Sequence, residues 1–341
     1  MINTLIIDDS SLARDMIRDF LLEDGGFRII GEAVDGEEGI QKILSLNPDL
    51  VTLDIEMPKK NGLEVIEAVI KDNFVPIVVI TNHDTAKIAL EATIKGALEF
   101  YPKSIFSPTY SVEKQREIYE TLKRISSIKM RKKTQGESEL ESSRVLKVEK
   151  RKISAIVIAS STGGPKALAE ILFQLPQDFL VPIIIVQHNT SGFDKSFTQW
   201  LDTSTNLTVK LAEEGESPRP GTVYIAETDK HLEIRKKSSE SFFFSYNNNE
   251  PENNQKPSAD VLFRSAAECL RSQVISLVLT GMGNDGALGT KRIKEMGGIT
   301  LAQDEESALI YGMPKAAVDT GSVDILLPLE KIASELQRLS T

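Results

Sequence analysis

Short apolar runs alternate with helical patterns along almost the whole 341-residue chain. In the first part the runs are TLIID, RIIGEAV, LVTLD, PIVVIT and LEFYPK, and helical patterns such as LARDMIRDFLLED and EEGIQKILSLN lie between them. A second series begins at ISAIVIAS and continues through VPIIIVQH, VISLVLTG and GITLAQD. Because strands that alternate with helices usually pair in parallel, the pattern predicts α/β structure with helices on both faces of each sheet.

A highly charged stretch, SIKMRKKTQGESELESSRVLKVEKRK, separates the two series. Few large apolar residues occur in it, so it cannot bury enough surface to offset the entropy cost of ordering. We therefore predict a first domain over residues 1–125, a linker over 126–152 and a second domain over 153–341. Within the second domain, the region from TVYIA to SFFFSY is expected to form antiparallel hairpins, and NNNEPENNQKPS a polar loop.

Bulk composition limits the classes of function and location. The net charge of −10 argues against a nucleic-acid-binding surface, which needs clustered lysine and arginine. The single cysteine, Cys269, allows no internal disulfide, as is usual in a reducing compartment. The N-terminus, MINTLIIDDS, has the pattern of a strand rather than of a signal peptide, and no apolar run approaches the ~20 residues of a membrane span. A cytoplasmic protein without membrane insertion is expected.

Acidic, hydroxyl and basic side chains follow successive strands of the first domain. Asp8 and Asp9 end the first strand, Asp54 the third, Thr81 the fourth and Lys103 the fifth. The ends of parallel strands meet at one sheet edge, where three carboxylates favour a cation such as Mg²⁺. An ionised Asp54 could then attack a phosphoryl group, which Thr81 and Lys103 would contact. Taken singly, each acid is more simply a solvated turn residue.

Three strands of the second domain also end in reactive groups. Ser161 follows IVIAS and precedes a helix, His188 follows VPIIIVQ, and Asp285 follows VISLVLTGMGN. Together they predict a nucleophile, a base and a carboxylate that orients the base. Considered alone, Ser161 is more simply a helix cap and Asp285 a turn residue. Of the three histidines, His188 is the one placed on a buried strand end.

The stretch GMGNDG also has the spacing of a dinucleotide-binding loop, through Gly281, Gly283 and Gly286. Two features argue against that interpretation. Asp285 would lie where a pyrophosphate must bind, and the loop comes late in its domain rather than in the first βα unit. The glycines are better explained by a sharp turn that presents Asp285 toward His188, with the Met282 amide as a candidate oxyanion donor.

The first domain resembles a response-regulator receiver domain in LIIDDSS, PDLVTLDIEMP followed by NGLE, VIT and GALEFYPK. The resemblance implies a flavodoxin-like, five-stranded parallel sheet whose Asp54 accepts phosphate from a histidine kinase. One departure is Ser104, where receivers usually have proline. The implied Mg²⁺ site consists of Asp8, Asp9, Asp54 and the backbone of Glu56, and the implied switch residues are Thr81, Phe100 and Lys103.

The second domain resembles the catalytic domain of chemotaxis protein-glutamate methylesterases in SSTGGPKAL, VQHNTSGF, GTVYIAETDKHLEI, PSADVLFRSAAE and LTGMGNDGALG. The resemblance implies a doubly wound, mostly parallel α/β hydrolase-like fold with an antiparallel hairpin region. It selects Ser161, His188 and Asp285 as the triad and places the Thr162 and Met282 amides near the oxyanion. Two departures are Ala159-Ser160, where the family usually has Gly-Ala, and HNTSGF, which replaces the usual His-Met-Pro-x-x-Phe stretch.

The same resemblance implies an activity in chemotaxis adaptation. The enzyme would hydrolyse glutamyl methyl esters on methyl-accepting chemoreceptor helices and deamidate receptor glutamines, without a cofactor for the esterase chemistry. Phosphorylation of the receiver is expected to relieve a block on access to Ser161. Two other functions stay open from the residues: a phosphorylation-controlled binding module with an inactive hydrolase domain, and a general carboxylesterase.

Overall fold

The computed structural model describes residues 1–70, 75–81, 86–106, 112–128, 151–189, 192–238 and 241–340. The chain divides into two compact units, Met1–Gln135 and Gly136–Thr341. Most of the predicted linker, residues 129–150, lies outside the described residues. The predicted boundaries at residues 125 and 153 therefore stay predictions.

The described part of the first unit contains a five-stranded parallel sheet with the strand order β2-β1-β3-β4-β5. The strands are β1 (Ile2–Ile7), β2 (Phe27–Ala33), β3 (Leu50–Leu53), β4 (Ile77–Thr81) and β5 (Glu99–Pro102). The helices are α1 (Ser11–Glu23), α2 (Gly36–Leu46), α3 (Gly62–Ile70), α4 (Ala86–Lys95) and α5 (Val112–Ser126). The receiver-type sheet predicted from the sequence is confirmed.

Local signals in the sequence explain where these elements begin. Ser10 caps α1 by accepting a hydrogen bond from Ala13 N, and Asp35 caps α2 by accepting one from Glu38 N. Before α3, Asn61 and Glu64 accept hydrogen bonds from each other's backbone N–H groups, which is a capping box. Every residue of β3 and β4 is buried, as expected for strands with helices on both faces.

In the second unit, the described residues form a seven-stranded sheet in the order β14-β13-β12-β6-β7-β9-β8, and each neighbouring pair is parallel. Its strands are β6 (Ala155–Ser160), β7 (Ile183–Gln187), β8 (Thr208–Leu211), β9 (Thr222–Ile225), β12 (Val274–Val278), β13 (Ile299–Gln303) and β14 (Ile325–Leu327). The antiparallel pair is β10 (His231–Lys236) with β11 (Phe242–Asn247). The helices are α6 (Gly164–Phe173), α7 (Asp194–Ser204), α8 (Ala259–Leu270), α9 (Ala287–Glu295), α10 (Met313–Asp319) and α11 (Leu329–Ser340).

The doubly wound, mostly parallel class is confirmed, but the predicted extent of the hairpin region is too large. TVYI forms β9, which pairs in parallel with β7 and β8 in the main sheet. The segment 212–221 returns the chain to the start of β9, where Gly221 N donates to Phe179 O. Among the strands that the structure describes, antiparallel pairing is confined to β10 and β11. The path of segment 212–221 sets the direction of β9. The residues of the strand itself do not indicate this direction.

The core on one face of this sheet holds α8 and the hairpin together. Phe263 of α8 and Phe244 of β11 are fully buried in it, and the Phe244 ring lies edge-on to Tyr224 of β9 at a centroid distance of 4.9 Å. This packing fixes the amino end of α8 beside the carboxyl ends of the central strands. Across the described residues of both units, no helix combines the length and apolar character required to cross a membrane.

Candidate functional site

Ser161, His188 and Asp285 all lie beyond the carboxyl ends of three adjacent strands. β6 is the middle strand and carries Ser161, while β7 and β12 flank it and lead to His188 and Asp285. Backbone hydrogen bonds between these segments continue just past the ends of the strands. Ser161 N donates to Thr280 O at 3.0 Å, and His188 N donates to Ser160 O at 3.0 Å. The structure therefore brings the three predicted triad residues to one edge of the sheet.

The carboxylate of Asp285 is the most heavily hydrogen-bonded group of the site. Its Oδ2 atom lies 2.8 Å from His188 Nε2, and both side chains are buried. Oδ2 also accepts from Ala259 N at 2.6 Å. Oδ1 accepts from Asp260 N at 3.0 Å and from Ser258 Oγ at 2.7 Å. Asp285 thus satisfies the first two N–H groups of α8, where the helix dipole also favours a negative charge.

The hydrogen-bond donors around Asp285 determine its protonation state. Burial by itself would raise the pKa of this carboxyl, but the hydrogen bond and charge of His188, together with Ser258 and the Ala259 amide, hold the pKa well below its usual range. Asp285 is therefore ionised at neutral pH. An ionised carboxylate at Nε2 fixes the orientation of the His188 ring and stabilises an imidazolium when one forms.

The other ring nitrogen of His188 is available for chemistry. Nδ1 is buried and has no hydrogen-bond partner among the residues that the structure describes. The hydroxyl of Ser161 is accordingly not bonded to it in this state, and such bonds are often formed only when substrate binds. A ring nitrogen without a partner can accept a proton, as the predicted role of His188 as a base requires.

A sharp turn places Ser161 between β6 and α6. Gly163 adopts a left-handed conformation with φ of 77°, and Gly164 N donates back to Ser161 O at 2.7 Å. Pro165 occupies the first turn of α6, where a missing N–H has no consequence. The carbonyl of Thr162 accepts from Thr280 Oγ1 at 2.9 Å, which ties this turn to the neighbouring strand. The side chain of Ser161 remains half-buried rather than enclosed.

Close packing and positive φ angles explain the glycines of GMGNDG. A Cβ on Gly281 would meet Met313 Sδ and would lie 2.7 Å from Ser161 Cβ, so glycine allows this loop to approach Ser161 closely. Gly283 and Gly286 have φ of 83° and 86°, and Gly286 is the cap residue just before α9. Between them Asp285 points to His188 and to α8. These contacts favour the sharp-turn explanation over the dinucleotide loop.

Several buried or half-buried polar residues around the predicted triad were not identified from the sequence. His231 was overlooked: it begins β10, is only 1 % exposed, and accepts at Nδ1 from Ser258 N, so His188 is not alone on a buried strand end. Asn253, from the loop predicted only as polar, donates to both Asp260 and Asp285. The serine before the helical pattern in PSADVLF was the available signal, because serine favours helix starts. The third histidine, His83, lies outside the described residues.

The acidic residues of the first unit also converge. Carboxylate oxygens of Asp8, Asp9 and Asp54 lie within 4.8 Å of one another. Lys103 Nζ lies 2.7 Å from Asp54 Oδ2 and 2.8 Å from Asp8 Oδ2. Burial raises the pKa of Asp54, and the hydrogen bond from Lys103 opposes that rise. Burial lowers the pKa of Lys103, but its bonds to the two carboxylates outweigh this and raise it.

The donor set suits a divalent cation. One lysine faces three carboxylates, which leaves an excess of negative charge, and hard oxygen ligands are those that Mg²⁺ prefers. A cavity of about 450 Å³ opens beside them and is lined by Asp9, Asp54, Glu56 and Lys103. The space and the charges fit Mg²⁺ together with a phosphoryl group. The set of atoms that would hold the ion, including the Glu56 carbonyl, stays a prediction.

The remaining predicted switch residues lie on the adjoining strands. Thr81 ends β4, is buried, and pairs in register with Pro102 of β5. Phe100 lies inside β5 and is 6 % exposed, so its ring is part of the packed interior. Lys103 follows β5 directly and opens a short 3₁₀ turn that also contains Ser104. The strand ends therefore place Thr81 and Lys103 at the same edge as Asp54.

Comparisons with known proteins agree with both units. The CheB methylesterase family matches residues 156–336, and the response regulator receiver domain matches residues 4–109. Proteins named protein-glutamate methylesterase/protein-glutamine glutaminase are 36% identical in Pyrococcus horikoshii, over 97% of this chain and 91% of the relative, and 36% identical in Thermotoga maritima, over 99% and 98%.

A solved structure gives the same result for the second unit. The crystal structure of the Thermotoga maritima CheB methylesterase catalytic domain is 42% identical, has a TM-score of 0.54, and covers 55% of this chain and 100% of that chain. A further relative from Carboxydothermus hydrogenoformans, protein-glutamate methylesterase/protein-glutamine glutaminase 1, is 41% identical over 97% of each chain. The family match and the near-complete coverage lead to one conclusion: the chain belongs to the CheB methylesterase family and carries a response-regulator receiver domain ahead of the esterase domain.

Proposed function

We propose that this protein hydrolyses glutamyl methyl esters on chemoreceptors, and deamidates receptor glutamines, by a Ser161–His188–Asp285 mechanism that receiver phosphorylation activates. It would act in the cytoplasm during chemotaxis adaptation. The observation that supports the mechanism best is the 2.8 Å contact of His188 Nε2 with the ionised Asp285, because it leaves Nδ1 as the basic nitrogen. The names of the relatives support the substrate class.

The acylation step uses the half-buried hydroxyl at the turn. Ser161 Oγ attacks the ester carbonyl carbon while His188 Nδ1 takes the hydroxyl proton. The carbonyl oxygen becomes an oxyanion, for which we assign the backbone amides of Thr162 and Met282 as donors, each typically worth about 3 kcal/mol. The C–O bond to the methoxy group breaks, and the leaving oxygen takes the proton from His188 as methanol departs.

Deacylation repeats the proton transfer with water. His188 takes a proton from water as its oxygen attacks the acyl carbon, and Ser161 Oγ leaves with that proton returned to it. The product is the glutamate side chain. A receptor glutamine follows the same steps with ammonia as the leaving group. Asp285 keeps its negative charge throughout and stabilises the transient imidazolium.

Activation is proposed to begin at Asp54. Its carboxylate would accept a phosphoryl group from the phosphohistidine of a chemotaxis kinase, and Lys103 is placed to pair with the new phosphate. Asp8, Asp9, Asp54 and the Glu56 carbonyl would hold Mg²⁺, which when bound neutralises charge on the phosphoryl oxygens. Thr81 and Phe100 are assigned as the residues that register the change. The closeness of the acids to Lys103 supports this assignment.

The proposal is tested by methanol release from methylated receptor membranes, with and without a small phosphodonor. Wild type should release methanol, faster with the donor, and Ser161→Ala should lower the rate by at least about 10³-fold. The matched control is Ser154→Ala, just before the opposite end of β6, which should match wild type. Retained activity in Ser161→Ala would overturn the mechanism. Receptor binding without any methanol release would indicate a binding module, and equal hydrolysis of simple esters a general carboxylesterase.

A further inference from the structure

Gln187, the last residue of β7, makes contacts that the mechanism above does not use. Its side-chain Nε2 donates to Ser161 O at 3.0 Å and to His188 O at 2.9 Å. Its Oε1 accepts from Ser160 Oγ at 2.7 Å. One amide group therefore connects the backbone of the assigned nucleophile with the backbone of the assigned base.

The three partners fix which way the amide points. Both N–H groups of Nε2 are needed by the two carbonyls, and rotating the amide by half a turn would place its oxygen against them. The hydroxyl of Ser160 supplies the one donor that Oε1 requires, and both side chains are buried. Gly164 makes room for this arrangement, because a Cβ there would collide with Gln187 Oε1.

The contacts occur where the sheet can no longer provide them. Pairing between β6 and β7 ends with Ser160 opposite Gln187, followed by one more bond from His188 N to Ser160 O. Beyond that bond, no backbone hydrogen bond among the described residues joins Ser161 to His188, so strand pairing does not fix the separation of their carbonyl ends. The Gln187 amide spans this gap.

We propose that Gln187 is a positioning residue for hydrolysis: it holds Ser161 and His188 at a fixed separation, and Ser160 acts through it by locking the amide. This inference rests on the proposed function. Proton transfer from serine to histidine requires close and aligned atoms, and a displacement of about 1 Å costs on the order of 100-fold in rate. The effect should therefore appear in kcat, with KM nearly unchanged.

The experiment uses the full-length chain and two readouts. Methanol release from methylated receptor membranes gives kcat and KM, and the rate of covalent reaction with a fluorophosphonate reports the nucleophilicity of Ser161 without any receptor. Gln187→Met removes both donors at similar volume and should lower kcat and the fluorophosphonate rate by about 30- to 100-fold, with KM changed less than threefold. Ser160→Ala should lower both rates by about 3- to 10-fold.

The double variant tests whether Ser160 acts through Gln187. Ser160→Ala combined with Gln187→Met should be no slower than Gln187→Met alone, because the hydroxyl has nothing left to orient. Additive losses would overturn that part of the inference. A matched control exists at the other end of β6, where Ser154 Oγ donates to Gln273 Oε1 at 2.6 Å. Ser154→Ala and Gln273→Met should leave both rates unchanged.

The outcomes separate this inference from the proposed function. If Ser161→Ala is inactive while Gln187→Met keeps its kcat within twofold, the positioning role is wrong and the mechanism stands. If Ser161→Ala remains active, the mechanism itself is wrong. Folding is checked through the fluorescence of Trp200, the only tryptophan, which is buried in α7 of the same unit. Should Gln187→Met not fold, Ser160→Ala decides: an unchanged kcat overturns the proposal.

Discussion

His188 Nε2 lies 2.8 Å from Asp285 Oδ2, and the same carboxylate accepts hydrogen bonds from the first N–H groups of α8. One side chain thus belongs to the candidate active site and to the start of a helix. The second role explains why Ser258, in the cap position, makes no capping bond of its own: its hydroxyl donates to Asp285 instead. Activity and stability should therefore respond together when Asp285 is changed.

The first prediction concerns Asp285→Asn. Each oxygen of Asp285 accepts a hydrogen bond from an N–H group at the start of α8, so the NH₂ group of the new amide would face such a donor in either orientation. We expect kcat for methanol release to fall by about 10³- to 10⁴-fold. We expect the free energy of unfolding to fall by about 2 to 3 kcal/mol, measured by urea denaturation at Trp200. Asp319→Asn, an exposed acid in α10, is the control and should change neither quantity. A kcat within tenfold of wild type would contradict the assignment of Asp285.

The second prediction compares two glycines of one loop. Gly281→Ala would push a methyl group against both Met313 Sδ and Ser161 Cβ, and because the displacement of Ser161 misaligns the nucleophile, methanol release should fall by at least about 100-fold. At Gly283 a Cβ would meet nothing within 4 Å, and the substitution brings only the strain of a φ of 83°. We expect Gly283→Ala to cost about 1 kcal/mol of stability and less than threefold in rate. Equal losses in the two variants would show that close approach to Ser161 is not the reason for Gly281.

The third prediction is a pH dependence of stability that originates at Asp260. Burial raises the pKa of this carboxyl to about 6, and the charge of Asp285 adds to the rise, while the Gly289 amide and Asn253 oppose it. The folded state therefore keeps this proton to higher pH than the unfolded state does. It follows that Asp260 lowers the free energy of unfolding as pH rises from about 4 to about 6.

Asp260→Asn removes this contribution. The difference in unfolding free energy, variant minus wild type, should increase between pH 4 and pH 7 by up to about 3 kcal/mol. Urea denaturation of the full-length chain, followed at Trp200, measures it, since other titrating groups cancel in the difference. For Asp178→Asn, an exposed acid in the same unit, the difference should stay flat with pH. A flat difference for Asp260→Asn as well would refute the raised pKa.

The fourth prediction concerns phosphorylation. Incubation with radiolabelled acetyl phosphate and Mg²⁺ should label wild type, because Asp54 is a buried carboxylate paired with Lys103 beside an open cavity. Asp54→Asn should not be labelled, and a chelator should prevent labelling of wild type. Asp49→Asn, at the opposite end of β3, is the matched control and should be labelled normally. Label on Asp54→Asn would place the acceptor elsewhere.

Much of the architecture could be predicted because it follows from local patterns. Continuously apolar runs such as IVIAS and LVLT mark strands with both faces covered, and parallel pairing then brings their ends to one edge. This reasoning was enough to bring together Asp8, Asp9 and Asp54 in one unit and the triad candidates in the other. Strands β8 and β14 were not predicted from the sequence, because they are short and lie at the edges of the sheet, where their residues are incompletely buried.

The finer parts of the site could not be predicted because they depend on contacts between distant segments. Nothing in the sequence around His188 indicates that Nε2, rather than Nδ1, faces Asp285. The polar loop gave no sign that Asn253 would reach Asp285, since its φ of 56° and the packing of α8 together determine that contact. Gln187 has the pattern of an ordinary strand residue, and Ser160 stands out only as a departure from the family; their contact depends on the pairing of the two strands.

The adjacency of β12, β6 and β7 has a consequence for how the sequence can change over time. A slip of one residue in the pairing of any of these strands would shift its terminal group by about 3.3 Å and turn alternate side chains to the opposite face. Hydrolysis would be lost even if the slipped sheet remained compact. Selection for catalytic turnover therefore also removes sequences whose strand register is ambiguous. In this way the requirement for activity helps to maintain a single fold.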